Sequence, residues 1–167
     1  PARAEWIHFA LTSEDVNNLA YSLILRDYTR QLQVPLLDRV IRQLVELARR
    51  WADAPFPAKT HGQSASPTTA GKELAVFAAR LARQRQQLKA VRLRGKFGGA
   101  TGTWAALAAA DPAYDWIAFS RKFVEFLGLE FNPATTQIED RDAWSEYFAI
   151  TGRINTILLD LDVDAWE

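Results

Sequence analysis

Cysteine and methionine are both absent from this 167-residue sequence. Without cysteine the chain has no disulfide, no thiolate metal ligand and no cysteine nucleophile, and it suits a reducing compartment. Long apolar runs are lacking too: none approaches the roughly 20 residues that span a bilayer, and the N-terminus has no signal-peptide core. We therefore expect a soluble, cytoplasmic protein that does not bind a membrane.

An excess of charge of one sign is also lacking, because 20 basic and 20 acidic residues cancel. This balance argues against nucleic acid as a partner. Apolar residues make up 49% of the chain, which at this length suffices for one domain, residues 1–167, with a substantial core. The chain starts at Pro1 instead of methionine, and Trp166–Glu167 stops inside a helical pattern, so we expect part of a longer protein.

Helical periodicity covers the first half of the chain, and no stretch alternates in the way that predicts a strand. Hydroxyls and acids at Thr12–Asp15 start a first helix that runs to about Gln31. Pro35 suits the first position of a second helix, which ends near Ala54. Pro55–Pro57 then forbids further helix and leads into a polar loop.

A third helical pattern runs from Pro67 to Gly95 without a breaker, about 28 residues. A helix of that length needs neighbours along its whole length. Further helices are predicted at residues 105–110, at 115–127 with Gly128 closing, and in a last long stretch from Ala143 onwards. The predicted fold class is therefore all-α, a bundle of long helices.

Three polar loops lie at helix ends: Thr12–Ser13 with Asn17 and Asn18, Thr60–Ser66, and Thr135–Glu139. Hydroxyls and amides bind carboxylate or phosphate oxygens, and a histidine such as His61 can pass a proton near neutral pH. A loop before a helix also presents backbone N–H groups to an anion. Each has a structural alternative, since Thr12 and Ser13 suit a helix cap and His61 can be a loop residue without a function. His8, between two apolar residues, is read as a packed or surface histidine.

Other constellations are less specific. Two distant histidines without cysteine match no metal-ligand spacing. Gly98–Gly102 is glycine-rich but follows a helix and lacks the Gly-Lys-Ser/Thr ending of a nucleotide loop, so we interpret it as a turn. A basic run without an acid fits a solvated face, an electropositive funnel for an anion, or an interface with an acidic helix of another subunit; it comprises Arg80, Arg83, Arg85, Lys89, Arg92, Arg94 and Lys96.

Several segments also carry distinctive strings. Thr12–Asn18 reads Thr-Ser-x-Asp-x-Asn-Asn, and Thr60–Glu73 reads Thr-His-Gly-Gln-x-Ala-x-Pro-Thr-Thr-x-Gly-Lys-Glu. These strings and the segments below follow one another in the same order as in the adenylosuccinate lyase family of the fumarase/aspartase superfamily. The sequence resembles that family over essentially its whole length. The remaining matching segments are Gly95–Lys96 with Gly99–Gly102, Leu127–Glu130 with Asn132–Pro133, and Thr135–Glu139.

The resemblance implies an elimination that cleaves a C–N bond and releases fumarate, from adenylosuccinate and from the succinylated imidazole carboxamide ribotide of purine synthesis. It implies no metal and no organic cofactor. His61 would be the proton donor to the leaving group, and the substrate contacts would be Thr12, Ser13, Thr60, Gln63 and Gln137. It further implies a homotetramer whose active sites form at subunit junctions, with this chain as the central helical domain.

The sequence also departs from the family pattern. The family's Ser-Ser-x-Met-Pro-x-Lys-x-Asn-Pro loop, which carries its catalytic serine, does not occur here, and neither does a histidine from an upstream domain. The resemblance therefore implies that this polypeptide alone is inactive and that the general base lies outside it. Ser64 replaces a usual proline, and Ala105 stands where a polar residue is expected.

Two alternatives stay open at this point. One is another enzyme of the superfamily, such as an argininosuccinate lyase or a cycloisomerase; Lys72 and the Thr135–Glu139 string favour adenylosuccinate lyase over it. The other is a helical oligomerisation module without catalytic activity.

Overall fold

A computed structural model describes residues 3–166. After a 3₁₀ turn at Ala4–His8 the elements are α1 (Ser13–Tyr28), a π-helical segment (Thr29–Gln33), α2 (Val34–Arg50), β1 (Pro55–Thr60), β2 (Gln63–Thr69), α3 (Ala70–Ala90), β3 (Arg94–Gly95), α4 (Ala105–Ala110), α5 (Trp116–Phe126), β4 (Glu130–Phe131) and α6 (Asp142–Trp166). The helical fold class is confirmed. None of the helices between residues 3 and 166 is long and apolar enough to cross a membrane.

The chain forms two compact units. Within the described residues, the first comprises 3–28 and 92–146, and the second comprises 29–91 and 147–166. In the first, apolar side chains from α1, α4, α5, β4 and the residue directly before each short strand are buried: Leu19, Leu93, Leu107, Val124, Leu129 and Phe131. In the second, the buried side chains come from α2, α3 and the later part of α6: Leu37, Leu44, Phe77, Leu81, Leu88, Ile150, Ile154 and Ile157.

Helices α2 and α3 approach closely at Gly71 in the second unit. A Cβ at Gly71 would overlap the Ala48 carbonyl oxygen and lie 2.8 Å from Ala52 Cα. Helix α3 also begins on the residues that follow α2, because the Gly71 N–H donates to the Trp51 carbonyl (2.9 Å) and the Ala70 N–H to the Ala54 carbonyl (3.0 Å). Two of the amides that every helix start leaves unbonded are thus satisfied.

The predicted break between the first two helices is wrong. The chain stays helical from Ser13 to Arg50, and its π-helical segment ends two residues before Pro35. A proline in a helix cannot donate a hydrogen bond, and its ring collides with the carbonyl four residues earlier. A π turn relieves this conflict, because its hydrogen bonds span one residue more.

The expectation that residues 55–69 contain no strand is also wrong. β1 and β2 form an antiparallel hairpin in which Thr60 pairs with Gln63 and Pro57 with Pro67. Proline cannot donate to a ladder, but both strands of a two-stranded hairpin are edge strands and tolerate it. The pairing also shifts by one residue between Pro57 and Lys59.

The third helix is shorter than predicted, at both ends. It begins at Ala70 because Thr69 caps it, its hydroxyl accepting from the Lys72 N–H at 3.2 Å. It ends at Ala90, and β3 then pairs in parallel with β4 instead of continuing the helix. The predicted short helices are confirmed as α4 and α5, with Asp115 capping α5 and Gly128 in the left-handed conformation after it (φ 77°).

Candidate active site

His61 lies at the tip of the hairpin in the second unit. His61 and Gly62 form its two-residue turn, with φ values of 51° and 73°. Positive φ at both central residues is the geometry of the type I′ turn, whose twist matches that of the flanking strands. Thr60 and Gln63 end the two strands on either side, and all four residues are exposed. Three of the predicted site residues, Thr60, His61 and Gln63, are therefore adjacent at one tip.

The base of the hairpin is rigidly placed. β2 ends at Thr69, the cap of α3, and α3 is fixed to the end of α2 through Ala70 and Gly71. The imidazole thus extends from a two-stranded arm whose root is held by hydrogen bonds and by backbone contact.

Thr12, Ser13 and Gln137 lie in the first unit. The Gln137 amide donates to the Thr12 hydroxyl in a long hydrogen bond of 3.4 Å, and Ser13 begins α1 and is exposed. Nearby, Arg141 forms a 3.0 Å ion pair with Glu14 and so provides a second link between the start of α1 and the segment before α6. The structure therefore brings the first and third polar loops of the sequence together.

A buried ion pair lies directly beneath this contact. Asp15 is 0% and Lys96 1% exposed, and Lys96 Nζ is 3.0 Å from Asp15 Oδ1 and 2.7 Å from the Gly99 carbonyl oxygen. Asp15 also accepts from the backbone N–H groups of Thr12 (3.0 Å), Gly98 (3.0 Å) and Gly99 (3.1 Å).

This arrangement explains the glycine-rich segment. Successive N–H groups in such a turn form an anion-binding concavity, but here the bound anion is the chain's own Asp15 carboxylate. The lysine that would meet a phosphate in a nucleotide loop is buried against the same carboxylate. The interpretation of this segment as a turn, and not as a nucleotide site, agrees with this geometry.

A second buried carboxylate, Glu139, lies in the segment before α6. Glu139 is 1% exposed, accepts from the Asn132 amide at 3.0 Å and from the Arg141 N–H at 2.8 Å. The exposed Asp140 accepts from the Asp142 N–H at 3.1 Å and from Asn132 at 2.9 Å. The Asp142 hydrogen bond, with Asn132, holds the pKa of Asp140 below its usual value against the opposing effect of desolvation. These bonds shape the loop that carries Gln137.

The basic run is not a solvated face throughout. Four of its members pair with acids of the same chain: Arg80 with Asp160 (2.7 Å), Arg85 with Asp38, Arg94 with Glu130 (3.3 Å) and Lys96 with Asp15 (3.0 Å). Sequence reasoning considered an acidic helix of another subunit but not these intramolecular partners. Within residues 3–166, no group of three or more histidine and carboxylate side chains is placed to hold a metal ion.

Sequence reasoning missed Asp15, Asn18, Lys96 and Glu139 as buried polar residues. Asn18 accepts from the Lys96 N–H (2.8 Å) and donates to the Lys96 carbonyl (3.1 Å). The available signal for burial was the position of Lys96 beside a glycine-rich turn, where the backbone packs closely. If that lysine is buried, it needs a carboxylate partner.

Comparisons with known proteins agree with the motif strings. Residues 1–166 match the model of a protein family described as lyase. Adenylosuccinate lyase of Escherichia coli (strain K12) is 46% identical over 165 residues, which are 99% of this chain and 36% of that protein. Adenylosuccinate lyase of Legionella pneumophila (strain Corby) is 47% identical over 162 residues, 97% of this chain and 36% of that protein. The chain thus spans 36% of the length of these curated relatives.

Two solved structures are similar over nearly the whole chain. A 3-carboxy-cis,cis-muconate lactonizing enzyme from Pseudomonas putida superposes with a TM-score of 0.82 at 29% identity, over 94% of this chain and 35% of that one. A fumarate lyase from Mesorhizobium sp. BNC1 gives a TM-score of 0.80 at 27% identity, over 95% of this chain and 36% of that one.

Proposed function

We propose that this chain, which belongs to the lyase family of the fumarase/aspartase superfamily, is the central helical domain of an enzyme with adenylosuccinate lyase activity. Such an enzyme converts adenylosuccinate to AMP and fumarate, and the succinylated imidazole carboxamide ribotide to its amide and fumarate. We place this activity in the cytoplasm, in purine biosynthesis.

One observation carries the proposal. Adenylosuccinate lyases from Escherichia coli and Legionella pneumophila are 46% and 47% identical to this chain over 97% or more of its length. The two similar structures, a lactonizing enzyme and a fumarate lyase, share the fold but are only 29% and 27% identical. Sequence likeness therefore favours the adenylosuccinate reaction over the others that this fold supports.

The reaction needs a base, an acid and donors for an anion. A base takes the proton from the carbon β to the leaving nitrogen, and the electrons of that C–H bond form the double bond of fumarate. The C–N bond breaks toward nitrogen, which receives a proton from the acid. Hydrogen-bond donors hold the succinyl carboxylates while negative charge builds on the carbon skeleton.

We assign these roles within the chain by family resemblance and position. His61, on a rigidly rooted arm, is the proton donor to the leaving nitrogen. Thr60 and Gln63 flank it at the hairpin tip, and Thr12, Ser13 and Gln137 form a second set of substrate contacts, supported by the Thr12–Gln137 hydrogen bond. The general base lies outside this chain, so we expect the 167-residue polypeptide alone to be inactive.

We further propose that the intact enzyme is a homotetramer. Large apolar side chains on the helices of the second unit are more than half exposed: Leu36 52%, Phe148 56%, Val163 55%, Leu159 64% and Trp166 92%. Exposed apolar patches of this kind usually mark contact surfaces. Packing of α6 against the equivalent helices of other subunits would cover them.

The test is an assay of the full natural protein with adenylosuccinate, followed by ultraviolet absorbance. His61→Asn is the informative variant, since asparagine tolerates the positive φ of this turn and the arm keeps its shape. Loss of a general acid should lower kcat by about 100-fold to 10,000-fold. His8→Asn, at an exposed histidine elsewhere, is the matched control and should leave kcat unchanged.

The possible results separate the alternatives. A near-normal kcat in His61→Asn would show that His61 is not the proton donor. It would not affect the assignment of adenylosuccinate as the substrate. A wild-type protein that releases fumarate only from another succinyl amine would be a different lyase of the superfamily. A folded, oligomeric protein that turns over none of these substrates would support the oligomerisation module.

A further inference from the structure

The buried pair of Asp15 and Lys96 is held by further hydrogen bonds to the backbone. A carboxylate and an ammonium with at most 1% exposure lose nearly all contact with water. Burial of two charges is costly unless each also gains further hydrogen bonds. Asp15 gains three, from the backbone N–H groups of Thr12, Gly98 and Gly99, and Lys96 gains one from its own turn.

These bonds tie two separate segments together. Through its two carboxylate oxygens, Asp15 holds the residue before α1 and two glycines that lie 83 and 84 positions further along the chain. Asn18, one turn later on α1, accepts a hydrogen bond from the Lys96 N–H and donates one to the Lys96 carbonyl. The start of α1 and the glycine turn are thus joined by hydrogen bonds from both Asp15 and Asn18 and by the ion pair.

The glycine turn in turn supports the loop that carries Gln137. Gly102 packs against this loop so closely that a Cβ would overlap the Thr135 carbonyl oxygen and lie 2.6 Å from that of Thr136. Gln137, the next residue, donates to the Thr12 hydroxyl. One continuous path of contacts therefore leads from the ion pair to both partners of this hydrogen bond.

We propose that Asp15 and Lys96 are positioning residues: their buried ion pair locks the glycine turn to the start of α1 and so holds Thr12 and Gln137 in register to contact the substrate. This inference rests on the proposed function for the substrate contact, but the lock itself is independent of it. Because both side chains are buried, we assign neither of them a contact with the reacting atoms.

The test uses the full natural protein with the double variant Asp15→Asn/Lys96→Met. Removing both charges together avoids leaving one buried and unpaired, so the fold should survive. The new carboxamide has only one oxygen, and at least one of the Thr12, Gly98 and Gly99 amides would then face an NH₂ donor. Lys122→Met, at an exposed lysine of α5, is the matched control.

Two readouts apply. Hydrogen exchange at the Thr12, Gly98 and Gly99 amides should quicken about tenfold or more in the double variant, since hydrogen bonds to a charged group are lost. With adenylosuccinate, KM should rise about tenfold or more while kcat changes little, because contacts made equally in substrate and transition state are weakened. Simple loss of folded enzyme would lower the apparent kcat at an unchanged KM, which would overturn the positioning role.

The two readouts also separate this inference from the proposed function. Unchanged exchange at all three amides would overturn the lock whether or not the protein is active. Conversely, faster exchange in a protein that never acted on adenylosuccinate would uphold the lock and reject the proposed substrate. Faster exchange with an unchanged KM would show that the lock exists but does not hold the substrate contacts.

Discussion

Gly71→Ala should destabilise the protein, although alanine is normally the better helix residue. The added methyl group would overlap the Ala48 carbonyl oxygen and lie 2.8 Å from two backbone atoms of Ala52. None of these is the flexible end of a side chain, so the two helices must move apart. Separation weakens the hydrogen bonds from the Gly71 and Ala70 amides to the residues that follow α2.

The magnitude follows from these contacts. Forcing a methyl into a tight contact costs about 1–3 kcal/mol. Each weakened backbone hydrogen bond adds up to about 1 kcal/mol, and the gain in helix propensity returns at most about 1 kcal/mol. We therefore expect Gly71→Ala to lower the free energy of unfolding by about 2–4 kcal/mol, combining these terms.

Thermal denaturation and hydrogen exchange of the full natural protein measure this effect. Exchange should quicken most at the Ala70 and Gly71 amides, whose acceptors lie across the contact. Gly152→Ala on α6 is the control, because a Cβ there meets nothing within 4 Å in this chain. An unchanged or higher midpoint for Gly71→Ala would refute the reasoning, and so would an equal fall in both variants.

Three further predictions concern the turns and one carboxylate. Gly62→Ala should cost about 1 kcal/mol because φ is 73°, whereas Gly62→Asn should cost less; thermal melts compare the two. Gly102→Ala should raise KM for adenylosuccinate, since its methyl collides with the carbonyl of Thr135; steady-state kinetics with an unchanged KM would contradict this. The stability that Asp140 contributes should be complete above its unfolded pKa of 3.8 and vanish as pH falls through the lower folded pKa; acid titration of wild type and Asp140→Asn by circular dichroism checks the window.

Sequence patterns predicted the helices well where local signals agreed. Asp115 and Gly128 mark the two ends of α5 by capping and by a left-handed residue, and both act within a few positions of the helix. Pro35 lies in the first turn of α2, as predicted, but it did not indicate that the chain is helical up to that point. Proline favours the start of a helix, so the sequence predicts a new helix at Pro35. The π-helical segment before it keeps the chain helical, and no nearby residue type predicts that segment.

The hairpin was missed because its signals conflict. Pro55, Pro57 and Pro67 all count against a ladder, and only the His61–Gly62 pair suggests a two-residue turn. The motif string identified these residues as a candidate site without indicating their conformation. Only the pairing of the two strands shows that Thr60, His61 and Gln63 share one tip.

The partner of Lys96 could not be predicted, because Asp15 and Lys96 lie 81 residues apart and sequence spacing reports only local neighbours. Lys96 was assigned to an exposed basic run, and Asp15 to the first turn of a helix, where an acid is common. Their meeting depends on the return of the chain through α2, the hairpin and α3. Tertiary contact thus decided which of seven similar cations is buried.

The exposure of His61 bears on the proposed reaction as a whole. A general acid works best where water is excluded, since an open site lets solvent compete for the proton and screens the charges that guide the substrate. In this chain the hairpin tip is open to solvent, so the role assigned to His61 requires another surface to close over it. A type I′ arm with a rigid root is suited to insertion beneath such a surface. The proposed activity and the proposed assembly therefore stand together: if the full natural protein were active as a stable monomer, closure would have to come from elsewhere in its own chain.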